Sequence, residues 1–178
     1  MMQTVFNFLK KLKKNNNRDW FEQHREEYAE ARALFEGFCR DLLPAIRRFD
    51  KQISPDMTAA DCIFRIYRDV RFSKDKTPYK SHFSASVNPS GRKSVTAGYY
   101  LHLEPGNSFV AGGVWMPEPA MLQAIRQEID YHPEPLLRIL RSASFRKYFK
   151  GFDEEGQLKT VPKGYDKDHP QISLLKNR

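Results

Sequence analysis

The chain has 178 residues, of which 40% are apolar and 13% aromatic, so it is long and apolar enough to fold around a core of its own. No apolar run approaches the roughly 18 residues that a membrane span requires. The amino terminus places apolar residues before lysines, the reverse of a secretory signal. The net charge of +8 permits phosphate-bearing partners but does not require them.

The first third of the chain has the periodicity of helices. Thr4 is in position to cap a short helix, which the asparagine run 15–17 ends. A longer helix is predicted from Arg18, and Pro44 is expected to kink or restart it. A loop should follow at 54–61. The predicted apolar stripe of the long helix comprises Phe21, His24, Tyr28, Ala31, Phe35, Phe38 and Leu42.

The middle of the chain alternates apolar and polar residues, which is typical of half-buried strands. Four strands are predicted, at 62–72, 81–87, 97–104 and 109–115. Proline and glycine between the last two predict a tight turn at 104–107. This part of the chain therefore predicts an antiparallel sheet.

After the predicted sheet the helical period returns. A helix is predicted from Pro119 to the His132-Pro133 pair, because proline suits a first helical position and ends a preceding helix. Shorter helices are expected near 135–140 and 144–149. The remainder is predicted to be loop, with one strand near 158–161.

The order of these elements predicts an α+β domain. We expect a single domain over residues 1–178, with N-terminal helices, a mainly antiparallel sheet of about four strands and C-terminal helices. Cys39 and Cys62 lack a Cys-x-x-Cys spacing and are expected to be buried thiols in a reducing, cytoplasmic compartment. No glycine-rich phosphate loop and no His-Glu-x-x-His motif is present, so no cofactor and no metal ion is predicted.

The segment RIYRDVRFSKDKTPYKSH, from Arg65 to His82, concentrates positive charge. It carries six basic residues against two aspartates. Arginine offers a planar fork and lysine a compact charge to phosphate or carboxylate, so the segment predicts an anion-binding site. Tyr79 and His82 would be supporting donors. The predicted anion contacts are Arg65, Arg68, Arg71, Lys74, Lys76 and Lys80.

Arg68 poses a specific problem within this segment. A strictly alternating strand would place it on the apolar face, where a guanidinium needs a partner. Either Arg68 forms a buried ion pair, or a bulge rotates it to the surface. The same charges could also belong to a solvated edge strand, which is protected against aggregation by its lysines and arginines.

Two further groups of polar residues could contribute to a site. Strand alternation would put Tyr100, His102 and Glu104 on one face, beside His82 if the strands align, although a solvent-exposed sheet face explains the same pattern. Near the end, VPKGYDKDHP brings aspartates and a histidine together without a diagnostic metal-ligand spacing. Its residues that could return to the anion site are Asp166, Asp168 and His169.

Four segments together resemble one known family: NNNRDWF, RIYRDVRFSKDKTPYKSHF, AGYYLHLEPGNSFVAGGVWMP and VPKGYDKDHP. The chain is similar to the family named domain of unknown function 2461, and the four segments cover nearly its whole length. The resemblance implies an α+β protein of bacteria and some eukaryotes and carries no catalytic residue or cofactor with it. As the resemblance implies, members usually continue some tens of residues past the Asp-x-Asp-His-Pro segment, so we expect that this chain either is a short member or lacks a C-terminal helical piece.

The leading functional hypothesis is a domain that binds a phosphate-bearing or other anionic ligand through the Arg65–His82 segment. Its enzyme version is a phosphoryl-group hydrolase or nuclease with His82 or His169 as base. One alternative is a nucleic-acid-binding module without catalysis, which needs a basic stripe and steep salt dependence. Another is a structural or interaction protein in which the basic segment is an internal ion-pair network. The sequence indicates no oligomeric state.

Overall fold

A computed structural model of the chain describes residues 2–93 and 95–178. The fold divides into two compact units, Met1–Val114 and Trp115–Arg178. In the described residues the first unit contains α1 (Met2–Lys14), α2 (Arg18–Gln23), α3 (Arg25–Arg47), α4 (Ala59–Cys62), β1 (Phe83–Val87), a 3-10 turn (Gly91–Lys93), β2 (Gly98–Leu103) and β3 (Phe109–Gly113). The second contains α5 (Pro119–Tyr131), α6 (Pro133–Arg141), α7 (Ala143–Arg146) and α8 (Ile172–Leu175). The predicted α+β class is confirmed.

The amino-terminal helices form where the apolar periodicity predicts them, but their ends differ. Helix α1 begins at Met2, so Thr4 lies inside it and is not its cap. Asn17 caps α2, because its side-chain oxygen accepts a hydrogen bond from Trp20 N at 2.9 Å. The predicted long helix is interrupted at His24, which ends α2 and precedes α3.

Helix α3 continues through Pro44 to Arg47, so it does not restart at this proline, and the alternative of a kink stays a prediction. Proline removes one helical donor and crowds the carbonyl of Arg40 four residues earlier, a cost that packing of the last turn must offset. Leu43 and Ile46 are buried on either side of it, and their packing holds the last turn against the core.

The sheet has three antiparallel strands in the order β1-β2-β3. Phe83 pairs with Leu103 across β1 and β2, and His102 pairs with Phe109 across β2 and β3. Strands β1, β2 and β3 lie within the predicted ranges 81–87, 97–104 and 109–115. The tight turn between the last two is also confirmed, since Asn107 N donates to Glu104 O at 3.1 Å.

The predicted strand at 62–72 is wrong. Its first residue ends α4, and the following chain makes only isolated bridges, between Ile63 and Ala85 and between Tyr67 and Tyr79. The apolar face predicted for this strand is not buried as a whole, because Phe72 is 95% exposed. The opposite segment contains Pro78, which has no N–H to complete a ladder, and the intervening loop folds on its own aspartates.

The core of the first unit explains why this irregular stretch is still held in place. Phe8, Phe21, Phe35 and Phe83 are almost fully buried and come from the three helices α1, α2 and α3 and from strand β1. The ring centroids of Phe35 and Phe83 lie 5.4 Å apart, so α3 packs directly on β1. Such close packing fixes the position of β1, and the Arg65–His82 segment ends directly before this strand.

In the second unit, α5 begins at Pro119 and ends before the His132-Pro133 pair as predicted. Helices α6 and α7 replace the two predicted short helices with shifted ends. Residues 158–161 form no strand, since only Leu158 N makes a backbone bond there, to Lys176 O at 2.9 Å. Helix α8 was not predicted. No helix in the described ranges has the length and apolarity needed to cross a membrane.

Candidate functional site

The loop between residues 68 and 78 is folded by its own aspartates. The side chain of Asp69 accepts a hydrogen bond from Arg71 N at 3.3 Å, and that of Asp75 accepts from Thr77 N at 2.9 Å. Both are turns in which a carboxylate holds the backbone two residues ahead. These backbone and side-chain hydrogen bonds lower the pKa of Asp75 to about 2, so it is fully ionised at neutral pH.

For Arg68 the sequence left open either a buried ion pair or a position on the surface, and the structure shows a partly exposed ion pair. Its side chain is 25% exposed, and its Nη1 group contacts the Asp75 carboxylate and the Thr77 hydroxyl. Nη2 makes one long bond, to Ser73 Oγ at 3.4 Å. Among the described residues, Nε of Arg68 donates to no partner. The guanidinium is therefore fixed in position and still has N–H donors available for a ligand.

Two clefts meet at Arg68. The larger one measures about 420 Å³, and the smaller one measures about 340 Å³. Arg68 and Tyr79 line both. The larger cleft is lined by Lys13, Asn16, Arg68, Asp75, Thr77, Tyr79, Lys80, Ser81 and His82. The smaller one is lined by Arg18, Glu22, Tyr67, Arg68, Val70, Pro78 and Tyr79.

Lys80 contributes a partly buried positive charge to the larger cleft. Its Nζ donates to Arg65 O at 3.0 Å and lies 5.4 Å from the centroid of the Phe64 ring. No carboxylate in the described part of the chain pairs with it. Burial and the nearby Arg65 charge lower the pKa of Lys80, because both disfavour its ammonium form.

The other predicted basic residues do not line the larger cleft within the described residues. Arg71 pairs with Asp69 at 2.6 Å, where both side chains are largely exposed. Lys76 donates to Val70 O at 3.0 Å. Arg65 and Lys74 are exposed. The structure thus brings together Arg68, Tyr79, Lys80 and His82 of the predicted set, and leaves Arg65, Arg71, Lys74 and Lys76 outside their cleft.

His82 also belongs to a second group, with His102 and Glu104. One ligand-type atom from each lies within 4.8 Å of the other two. His102 Nε2 is 3.3 Å from Glu104 Oε2, and the His82 and His102 ring centroids are 4.0 Å apart. His102 and Glu104 are each 9% exposed, so the sheet face expected to be solvent-exposed is buried at this end.

Charges around this group are balanced by hydrogen bonds. Burial raises the pKa of the Glu104 carboxyl, but hydrogen bonds from Lys13, His102, Asn107 and Ser81 outweigh it and hold that pKa at about 2. Burial, with His102 and Lys80 nearby, lowers the pKa of His82 to about 4. At neutral pH the group thus presents a carboxylate and a neutral His82 imidazole.

The three predicted residues near the carboxyl terminus belong to the second unit. His169 Nε2 lies 3.0 Å from Asp130 Oδ1, and His169 Nδ1 accepts from Gln171 N at 3.0 Å. Asp166 accepts from Asp168 N at 2.9 Å. These bonds organise the loop before α8. Their return to the anion site in the first unit stays a prediction.

Sequence reasoning missed Lys13 and Asn16, which line the cleft from the end of α1 and the following turn. No local signal could have found them, because their partners lie more than sixty residues away. His102 and Glu104 did carry a signal, since residues two apart on a strand share a face. What the sequence did not show was that this face is buried.

The comparison with known proteins gives a family. The model of the family described as conserved hypothetical protein (DUF2461) matches residues 4–178. No curated protein and no solved structure matches the chain.

Proposed function

The chain belongs to the DUF2461 family, and we propose that it binds a phosphate-bearing or other anionic ligand through the Arg65–His82 segment. The ligand would occupy the larger cleft, with Arg68 and Lys80 as its main charged contacts. Cys39 and Cys62 are free, buried thiols, which suit a reducing compartment, so we place this activity in the cytoplasm.

The observation that carries the proposal is the state of Lys80. A partly buried ammonium without a carboxylate partner is disfavoured by burial, and the pKa of Lys80 is lowered accordingly. A ligand anion in the cleft would supply the missing counter-charge. Binding would then relieve a destabilised cation, which gives the ligand a favourable interaction absent from the free protein.

Arg68 supports the same reading because its donors are only partly used. Nη1 is committed to Asp75 and Thr77, whereas Nε is free among the described residues and Nη2 has one long bond. A guanidinium that is already positioned loses little side-chain conformational entropy when it forms a bidentate contact with a phosphate or carboxylate. Ser81 and Thr77 add hydroxyl groups to the same cleft.

The size of the cleft favours a small ligand over a polymer. Its volume of about 420 Å³ lies within the usual range of small-molecule sites, roughly 300–1,000 Å³. The exposed Arg65, Arg71, Lys74 and Lys76 would then raise the local concentration of anions without touching the bound one. The alternative of a nucleic-acid-binding module assigns these four residues to phosphate contacts along a strand.

The alternative of an internal ion-pair network also has observations in its favour. Arg68 pairs with Asp75, and Arg71 pairs with Asp69. Both pairs lie within the loop, so they could serve only to hold it against the sheet. Under this alternative, loss of Arg68 lowers the thermal stability, and no anion changes the melting temperature of either form.

The test is a calorimetric titration of the full chain with inorganic phosphate, a mononucleotide and a short single-stranded oligonucleotide. We expect the double variant Arg68→Ala, Lys80→Ala to lose affinity at least about 10-fold, since charge-assisted hydrogen bonds are removed. Lys74→Ala is the matched control, because it removes an exposed positive charge from the same segment. Circular dichroism and a melting curve show whether each variant is folded.

The outcomes separate the three readings. Affinity for phosphate or nucleotide that falls in the double variant and not in the control supports the proposal. Binding of the oligonucleotide alone, weakened equally by Lys74→Ala and falling steeply with salt, would favour the nucleic-acid module. Absence of binding by a folded wild-type chain would leave the ion-pair network. The version with His82 or His169 as a catalytic base stays a prediction.

A further inference from the structure

We propose that His82, His102 and Glu104 form a binding site for one divalent transition-metal ion of the zinc class. Within the described residues this is the one group of three or more histidine, cysteine, aspartate or glutamate side chains whose ligand atoms converge. Of its three residues only His82 also lines the larger cleft, so variants at Arg68 and Lys80 leave all three proposed ligands in place.

The distances suit a zinc-sized ion. Zinc lies about 2.0–2.1 Å from imidazole nitrogen and carboxylate oxygen, so tetrahedral ligand atoms are separated by about 3.4 Å. His102 Nε2 and Glu104 Oε2 already lie 3.3 Å apart. The remaining separations do not exceed 4.8 Å and would close by about 1.4 Å at most.

The three side chains stand on a rigid frame. His102 is in β2, Glu104 follows the last residue of this strand, and His82 precedes the first residue of the antiparallel neighbour β1. The Phe109 ring of β3 stacks on His102 with its centroid 4.7 Å away. Positions two apart on one strand point to the same face, so His102 and Glu104 face one ion without loop rearrangement.

The hydrogen bonds around His102 offer partners to both tautomers of its ring. Tyr100 Oη lies 3.1 Å from His102 Nδ1, and a hydroxyl can either donate to this nitrogen or accept from it. In the ion-free chain Nε2 carries a proton and donates to the ionised Glu104 carboxylate. An ion at Nε2 displaces this proton, so the ring proton then lies on Nδ1 and Tyr100 Oη accepts its hydrogen bond. This outer partner is the kind that fixes the tautomer of metal-bound histidines.

Glu104 is positioned in the same way. Its Oε1 accepts from Lys13 Nζ and Ser81 Oγ, each at 3.1 Å. Its other oxygen, Oε2, faces His102 and can turn from the imidazole to an ion. The Lys13 ammonium bonds the far oxygen, so it orients the carboxylate without occupying the ligand position.

The donor set selects the class of ion. Two imidazoles and one carboxylate suit zinc and its neighbours, whereas Mg²⁺ and Ca²⁺ prefer oxygen ligands alone. Three protein ligands leave a fourth position, and a site with such an opening accepts a water or a ligand atom. Because His82 lines the larger cleft, an ion held by it would sit at the wall of that cleft.

The experiment is a titration of the tag-free, chelator-treated full chain with Zn²⁺ by calorimetry and with Co²⁺ by visible absorption. We expect one ion per chain and the d–d bands of a low-coordinate site. His82→Ala and Glu104→Gln should each weaken Zn²⁺ binding more than about 100-fold, whereas Tyr100→Phe should weaken it about 10- to 100-fold, as loss of an outer-shell partner does.

Control variants test whether the ion binds at the proposed residues. His132→Ala, which removes an exposed histidine of the second unit, and His169→Ala should leave the affinity unchanged. The variant Arg68→Ala, Lys80→Ala should also keep the ion, so failure of the anion proposal and failure of this one are distinguishable. Glu104→Gln removes a buried carboxylate that pairs with Lys13, so this variant could unfold, in which case His82→Ala, at a half-buried position, decides.

Three results would overturn the proposal. The first is absence of saturable Zn²⁺ binding by the folded wild-type chain. The second is an affinity that His82→Ala leaves unchanged. The third is a Co²⁺–thiolate charge-transfer band, which would assign the ion to Cys39 or Cys62.

Discussion

The side-chain amide of Asn16 makes two hydrogen bonds to the backbone of Tyr79. Its side-chain nitrogen donates to Tyr79 O at 2.9 Å, and its side-chain oxygen accepts from Tyr79 N at 3.1 Å. A primary amide can make this pair of bonds to the N–H and the C=O of one residue, as a neighbouring strand would. The turn after α1 thereby fixes the end of the basic segment, two residues after Thr77 and one before Lys80.

The first prediction is that Asn16→Ala destabilises the chain by about 1–3 kcal/mol, because two half-buried backbone groups lose their partners. Urea unfolding followed by circular dichroism measures the change. The control is Asn15→Ala, whose side chain bonds, within the described residues, only to Lys11 O of the preceding helix α1. Equal stability of the two variants would contradict the role assigned to Asn16.

The strand periodicity predicted β1 well, and the reason is physical. Phe83, Ala85 and Val87 alternate with serines and are all buried, as the pattern predicts, although Ser84 on the opposite face is buried as well. The same periodicity failed at 62–72, where local carboxylate turns at Asp69 and Asp75 compete with strand pairing. Alternation of apolar and polar residues indicates which face of a segment is apolar, but it does not indicate which groups the backbone N–H and C=O will hydrogen-bond.

The candidate site was only half predictable for a related reason. The basic residues were visible as a charge run, but the run does not say which of them share a cleft. Lys13 and Asn16 enter that cleft only because α1 packs beside the segment, a contact between residues far apart in the chain. His102 and Glu104 were on the predicted face, and their burial depends on neighbours that the sequence does not name.

The second prediction concerns Asp75, which competes with a ligand for Arg68. If the cleft binds phosphate, Asp75→Asn should tighten this binding about 2- to 5-fold, the range that loss of one exposed ion pair allows. Calorimetric titration with inorganic phosphate measures it. Asp69→Asn is the control, since it removes the same charge from the same loop but frees Arg71, which lies outside the cleft. Weaker binding in Asp75→Asn would count against an anion at Arg68.

The third prediction concerns the two cysteines. Cys39 and Cys62 are 2% and 0% exposed. Burial, with Cys62 and Glu36 nearby, raises the pKa of Cys39 to about 12, and burial also raises the pKa of Cys62. At pH 8 both remain neutral thiols and should not react with a disulfide reagent in the folded chain.

Thiol titration in buffer and in guanidinium measures this directly. We expect no rapid reaction in buffer and two thiols per chain after unfolding, with one thiol in unfolded Cys62→Ala. Rapid reaction of one thiol in the folded wild-type chain would contradict the burial of that side chain.

The fourth prediction is that Gly98→Ala destabilises the sheet, because a side chain at this position has no space. An added Cβ would lie 2.6 Å from Val87 O and against the Asn88 side-chain amide. Asn88 cannot swing away, since it is buried and bonds both Ser86 Oγ, at 2.6 Å, and Thr96 O, at 2.9 Å. Overpacking of this kind costs about 1–3 kcal/mol. Gly112→Ala in β3 is the control, because its nearest neighbour, Gly98 O, lies at an ordinary 3.8 Å. Urea unfolding should separate the two variants, and equal stabilities would show that the β1–β2 pair can open to admit a methyl group.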